Sequence, residues 1–198
     1  GFLTFAVWRA AKVEGPMRAQ RAASRSADEA PETADEADEA VGVLEPACRA
    51  WPNALQVRLW LGLAHMMCGR PDAALPHYDW ALERSGGMAH FEALRATALV
   101  ALGRPGEARA ILDDLHVRSR NGYVDPYSLF IVSLLLDGPA AALPHLEEMV
   151  VVRSLFLPYL RGIPRFRALR QHPRFRAAID RVWSGAVANG ADSGVFTG

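Results

Sequence analysis

The residues of this chain with the chemistry to bind or react are six histidines, two cysteines and a C-terminal run of arginines. His65, His77, His90, His116, His145 and His172 contain no i, i+4 pair, the spacing that lets one helix face hold zinc. His77 and His145 end identical pentapeptides, Ala73-Ala74-Leu75-Pro76-His77 and Ala141-Ala142-Leu143-Pro144-His145. On separate helical hairpins such rings should lie at least ~15 Å apart, too far to share a metal whose bonds are about 2 Å. Surface or half-buried histidines are expected. Cys48 and Cys68 lack C-x-x-C spacing. At the ends of antiparallel helices their sulfurs should sit roughly 15–20 Å apart, whereas a disulfide needs Cα atoms within about 7 Å. Both are expected as free, packed thiols. With no Gly-rich phosphate loop either, the sequence reads as non-enzymatic, with no cofactor and no small-molecule substrate.

Arg161, Arg165, Arg167, Arg170, Arg174, Arg176 and Arg181 face only Asp180, with Phe166 and Phe175 among them. Basic residues interleaved with rings can grip single-stranded nucleic acid or an anionic surface. The competing reading is a cap, in which Phe166, Leu169, Phe175 and Ile179 cover the end of the fold and the arginines stay solvated or pair with the acidic stretch Asp28 to Glu39. Elsewhere the composition favours neither nucleic acid nor membrane: 22 basic residues balance 22 acidic ones, and 51% of the 198 residues are apolar.

The elements that would position these residues follow a period. Gly69-Arg70-Pro71 returns as Gly103-Arg104-Pro105 at an offset of 34, and the two pentapeptides are offset by 68. Ala40, Ala74, Ala108 and Ala142 fall on the same ruler of 34. A fixed period of this length, in a chain rich in alanine, leucine and arginine, predicts stacked helix–turn–helix units. Pro71 and Pro105 should open second helices (B), and Asn53 and Asp125 should cap first helices (A). Gly86-Gly87 and Asp137-Gly138-Pro139 should make turns.

The first full unit carries Leu61-Gly62 and His65 on helix A, then Ala74, Tyr78 and Ala81 on helix B. This pattern resembles the tetratricopeptide repeat, with Arg58, His65 and Gly86 departing from the usual Trp, Tyr and Pro. The resemblance implies an all-α fold, a right-handed superhelix of stacked antiparallel helix pairs (an α-solenoid) with a C-terminal helical cap. It also implies a concave groove lined by helix A. Leu59, Leu63, Met66 and Met67 would line it in the first unit, His90, Ala93, Thr97 and Val100 in the second, and Tyr127, Ile131, Leu134 and Leu135 in the third. Lys, Arg and Asn, which relatives use there to clamp a peptide carboxylate, are absent from these slots. An apolar groove fits an amphipathic protein or peptide partner, or it is filled by the chain's own terminus or by a second copy.

Along the chain, residues 1–26 read as a stub and residues 27–34 as an acidic linker. Residues 35–154 read as the array, made of a half repeat (35–54) and repeats at 55–88, 89–122 and 123–156. A cap (155–183) and a disordered tail (184–198) follow. The absence of an initiator methionine suggests a fragment of something longer. Gly1 to Trp8 has the composition of the end of a membrane span, followed by Arg9, Lys12, Arg18, Arg21 and Arg25. That basic excess would leave the rest cytoplasmic and tethered. An amphipathic helix folded onto the array and a disordered chain end are the alternatives. Pro164-Arg165-Phe166-Arg167-Ala168 recurs as Pro173-Arg174-Phe175-Arg176-Ala177. With Tyr123-Val124-Asp125-Pro126-Tyr127 and Arg153-Ser154, this element more loosely resembles the C-terminal repeat module of bacterial membrane-attached signalling proteins. In those proteins it follows kinase, winged-helix regulator or nucleotide-cyclase domains.

Overall fold

The computed structural model of the chain describes residues 34–157, 160, 166 and 169–190. Among them are α-helices and no strand. In chain order these are α1 (Ala34–Ala50), α2 (Leu55–Met67), α3 (Pro71–Arg84), α4 (Ala89–Ala101), α5 (Pro105–Asn121), α6 (Pro126–Asp137), α7 (Pro139–Val151) and α8 (Pro173–Gly190). A 3₁₀ turn, Leu169–Gln171, precedes α8.

Proline at the first helical position sets five of the starts, Pro126 of α6 among them, where its missing N–H costs nothing. Pro71, Pro105, Pro139 and Pro173 open α3, α5, α7 and α8 at intervals of 34. The ruler therefore runs one step beyond the expected array, into the region read as a cap. The marker alanine had concealed this, because the position 34 after Ala142 is Arg176. The buried residues of α8 are instead Phe175 and Ala178. Helix α8 also continues past residue 183 to Gly190, across part of the stretch read as a disordered tail.

The turns repeat as the helices do. After α2, the Cys68, Gly69 and Arg70 amides donate to the Ala64, Met66 and His65 carbonyls (3.0, 3.1 and 2.9 Å). After α4, Leu102, Gly103 and Arg104 donate to Ala98, Val100 and Leu99 (2.9, 3.0 and 2.9 Å). Gly69 and Gly103 take φ of 69° and 72°, the left-handed conformation that closes a helix C-terminus at no steric cost to glycine. Asp125 caps α6 as expected, accepting from the Tyr127 amide at 2.9 Å. Asn53 does not cap α2. It lies in a turn closed by the Ala54 amide on the Trp51 carbonyl (3.0 Å), so Ala54 becomes the flanking residue, with no side-chain cap.

Every helix packs on the next, and α4 also packs directly on α6, whereas α2 and α4 have no comparable contact. The apolar interior follows that pattern. One cluster joins α1 to α2 through Ala40, Leu44, Ala47, Val57, Trp60 and Leu61. A second joins α3 to α4 through Ala74, Tyr78, Ala81, Phe91 and Leu94. The largest runs from α4 to α8, and Leu157, Leu160, Phe166, Leu169 and Phe175 are part of it. The marker alanines Ala74, Ala108 and Ala142 are all fully buried. Arg70–Asp38, Arg95–Asp79, Arg109–Asp137 and Arg174–Glu147 tie successive segments together at 2.5–2.7 Å on the surface. Solvated pairs of this kind fix register more than they add stability.

Candidate functional site

The helix A residues named from sequence divide by unit. In the second and third units Ala93, Thr97, Tyr127 and Ile131 are buried, so they belong to the interior rather than to an open groove. Thr97 satisfies its hydroxyl on the Leu94 carbonyl at 2.7 Å. The reason is the segment after α7. Phe156 stacks on His90 (centroids 4.5 Å apart) and on Tyr127 (4.6 Å), and Phe166 lies 5.7 Å from Phe130. The chain covers its own helix A face there. Val100 and Leu134 are half-buried against the same core, and only Leu135 reaches well into solvent, at 39% exposure. In the first unit Leu59, Leu63 and Met66 are half-buried against the two smaller clusters, and Met67 is likewise half-buried.

His90 is enclosed by Phe91, Tyr127 and Phe156. That enclosure lowers its pKa to about 4, against a weaker opposing pull from the Asp125 carboxylate. Asp125 is the polar centre of this junction. Besides capping α6 it accepts from the Ser154 hydroxyl (3.0 and 3.2 Å to its two oxygens) and from the Tyr123 hydroxyl (3.3 Å). Partial desolvation, then the nearby Asp125 and Glu148 carboxylates, raise the Tyr123 phenol. Ser154 bonds the carboxylate directly and His90 leaves Nδ1 buried without a partner, so the three do not form a nucleophile–base relay.

The histidines pair in a way their spacing did not reveal. His65 of α2 and His77 of α3 stack at 5.7 Å with planes 10° apart, and His116 of α5 meets His145 of α7 at 5.6 Å. These contacts are made across helices, so no i, i+4 rule could find them. Burial lowers the pKa of His65, His77 and His145, and the partner ring's charge lowers it further for His77 and His145. Among the described residues no three His, Cys, Asp or Glu side chains come together as a metal site. Cys48 and Cys68 are free, half-buried thiols whose pKa burial raises.

Arg174 of the basic run is committed to Glu147. Arg161, Arg165 and Arg167 lie outside the described residues, as do residues 1–8. No described helix is long and apolar enough to cross a membrane.

Apart from Val117 of α5, 46% exposed, the most exposed large apolar side chains among the described residues lie in or beside the turns that lead from one hairpin to the next. Met88 is 55% exposed, Tyr123 78%, Val151 81%, Val152 42% and Leu155 85%. Asp125 bonds both Tyr123 and Ser154, which places Tyr123 beside the 151–155 segment. The sequence signal was present but unused: apolar residues stand in turns, where polar ones are the norm. No protein-family model, curated protein or solved structure matches the chain.

Proposed function

We propose that this chain is a non-catalytic protein-interaction or oligomerisation module, a tetratricopeptide-like helical array that associates through the edge formed by its inter-hairpin turns. The observation that carries the reading is the exposure of Tyr123, Val151, Val152 and Leu155, with Tyr123 brought to the 151–155 segment by Asp125. Isolated apolar residues on a surface need no explanation, but several large ones exposed within one short segment and its neighbour are a mark of a contact surface. The array reading is supported by helix starts at intervals of 34 and by the turn repeated after α2 and α4. With Ala93, Thr97, Tyr127 and Ile131 inside the fold, the edge is a better docking surface than the helix A groove.

A photoreactive side chain installed at Leu155 in the full chain, irradiated in cells, tests this. Adducts are expected at Leu155 and not at the exposed Ala140, which lies beside an intra-hairpin turn. Leu155 without any adduct overturns the interaction reading.

A further inference from the structure

We propose that Tyr123, Val151, Val152 and Leu155, grouped around Arg153 and Glu148, pair two copies of this chain through a two-fold contact. The proposal deepens the interaction-module reading and rests on it for the location of the surface.

Three observations single out a second copy as the occupant. The first is size. At exposures of 42–85% the four apolar side chains present on the order of 600 Å², approaching the roughly 800 Å² that each side of a standard interface buries. The second is charge. A two-fold contact brings the same patch to both sides, so residue i meets j and j meets i. Such a patch has to carry both signs. Arg153 and Glu148 are exposed, five residues apart on either side of Val151 and Val152, and neither has an ion-pair partner among the described residues. In the proposed pair each is free to meet its opposite number across the axis.

The third is backbone conformation. After α7 the Val152, Arg153 and Ser154 amides donate to the Glu148, Val150 and Met149 carbonyls (2.9, 3.3 and 2.9 Å). This is the turn seen after α2 and α4, where glycine holds the left-handed position. Here Arg153 holds it, with φ 52°, among the described residues the only non-glycine at positive φ. Glycine would be the unstrained choice. A non-glycine residue at this position, between exposed Val152 and Leu155, is what a contact made outside its own chain would require.

Analytical ultracentrifugation of the full chain over a dilution series tests the proposal. A dimer that dissociates on dilution is expected. Leu155→Asp should leave a monomer with unchanged helicity. Arg153→Glu and Glu148→Arg should each weaken dimerisation at least about tenfold, and the double exchange should restore it. Arg153→Gly should raise the melting temperature of the dissociated chain while weakening the dimer, a split that a merely structural role would not produce. A chain monomeric at every concentration overturns the proposal, as does a dimer indifferent to Leu155→Asp or a double exchange without rescue. The crosslinking adduct at Leu155 separates this failure from that of the broader reading. An adduct of twice the chain mass supports the pair. An adduct on a different protein, or on Phe2–Trp8 of the same chain, overturns it, and the former leaves the interaction module standing.

Discussion

Gly62 and Tyr78 show how closely α2 and α3 approach. A Cβ on Gly62 would lie 2.7 Å from Cε1 of the fully buried Tyr78 ring, closer than real Cβ atoms come to a neighbour. Gly62→Ala should therefore destabilise the fold by about 1–3 kcal/mol through overpacking, although alanine is the better helix former. Gly42, on α1, has nothing within 4 Å of its would-be Cβ, so Gly42→Ala should stabilise by about 0.5–1 kcal/mol. Thermal denaturation of the two variants side by side checks the opposite signs. His90 gives a pH signature. Its pKa falls from the ordinary 6.5 to about 4 in the folded chain, so the unfolded chain binds the proton more tightly. The stability contributed by neutral His90 is complete above pH 6.5, is lost as pH falls toward 4, and changes no further below that. At 1.36 kcal/mol per unit the loss is about 3 kcal/mol. His65, His77 and His145 shift in the same direction, so His90→Phe should shrink the acid limb rather than abolish it. Urea unfolding at neutral and mildly acid pH measures the difference.

At the scale of elements, the junction between α6 and the segment after α7 depends on one carboxylate. Asp125 caps the α6 N-terminus through the Tyr127 amide and holds Ser154, which is 6% exposed and lies 29 residues along the chain, beyond α7. Asp125→Ala removes a cap, typically about 1 kcal/mol, and leaves the nearly buried Ser154 hydroxyl proton without its acceptor, while its oxygen keeps the Phe156 amide, at about 1 kcal/mol more. Asp125→Asn keeps one acceptor and should recover most of the loss, read from denaturant midpoints. The cap itself was legible, since Asp-Pro at a helix start has a local cause. Its second duty to Ser154 was not, because it joins residues whose proximity is set by packing. Asn53 is the converse case. Its residue type predicted a cap, but the turn after Trp51 closes one residue later and leaves Ala54 at the flanking position.

At the scale of the whole molecule the interior is divided. The α1–α2 cluster is small and separate, whereas the cluster from α4 to α8 is continuous and includes the residues after α7. Because the helices pack chiefly on their neighbours in the chain and the α1–α2 cluster is separate, opening should be local rather than global at the α1–α2 end. Hydrogen exchange of the native chain should show α1 and α2 amides exchanging through low-energy openings and α6 and α7 amides protected longest. Equal protection across the chain would mean the clusters unfold as one.

The period of 34, the helix-opening prolines, the turn glycines and the capping aspartate were determined by the sequence alone. Each acts within a few residues of itself, and short-range sterics leave little choice. Burial of Tyr127 and Ile131, the two histidine pairs, and the exposure of Tyr123, Val151 and Leu155 were decided by tertiary structure. Whether an apolar face becomes interior or surface depends on which distant segment packs on it, and here Phe156 and Phe166 cover one face and leave the other in water.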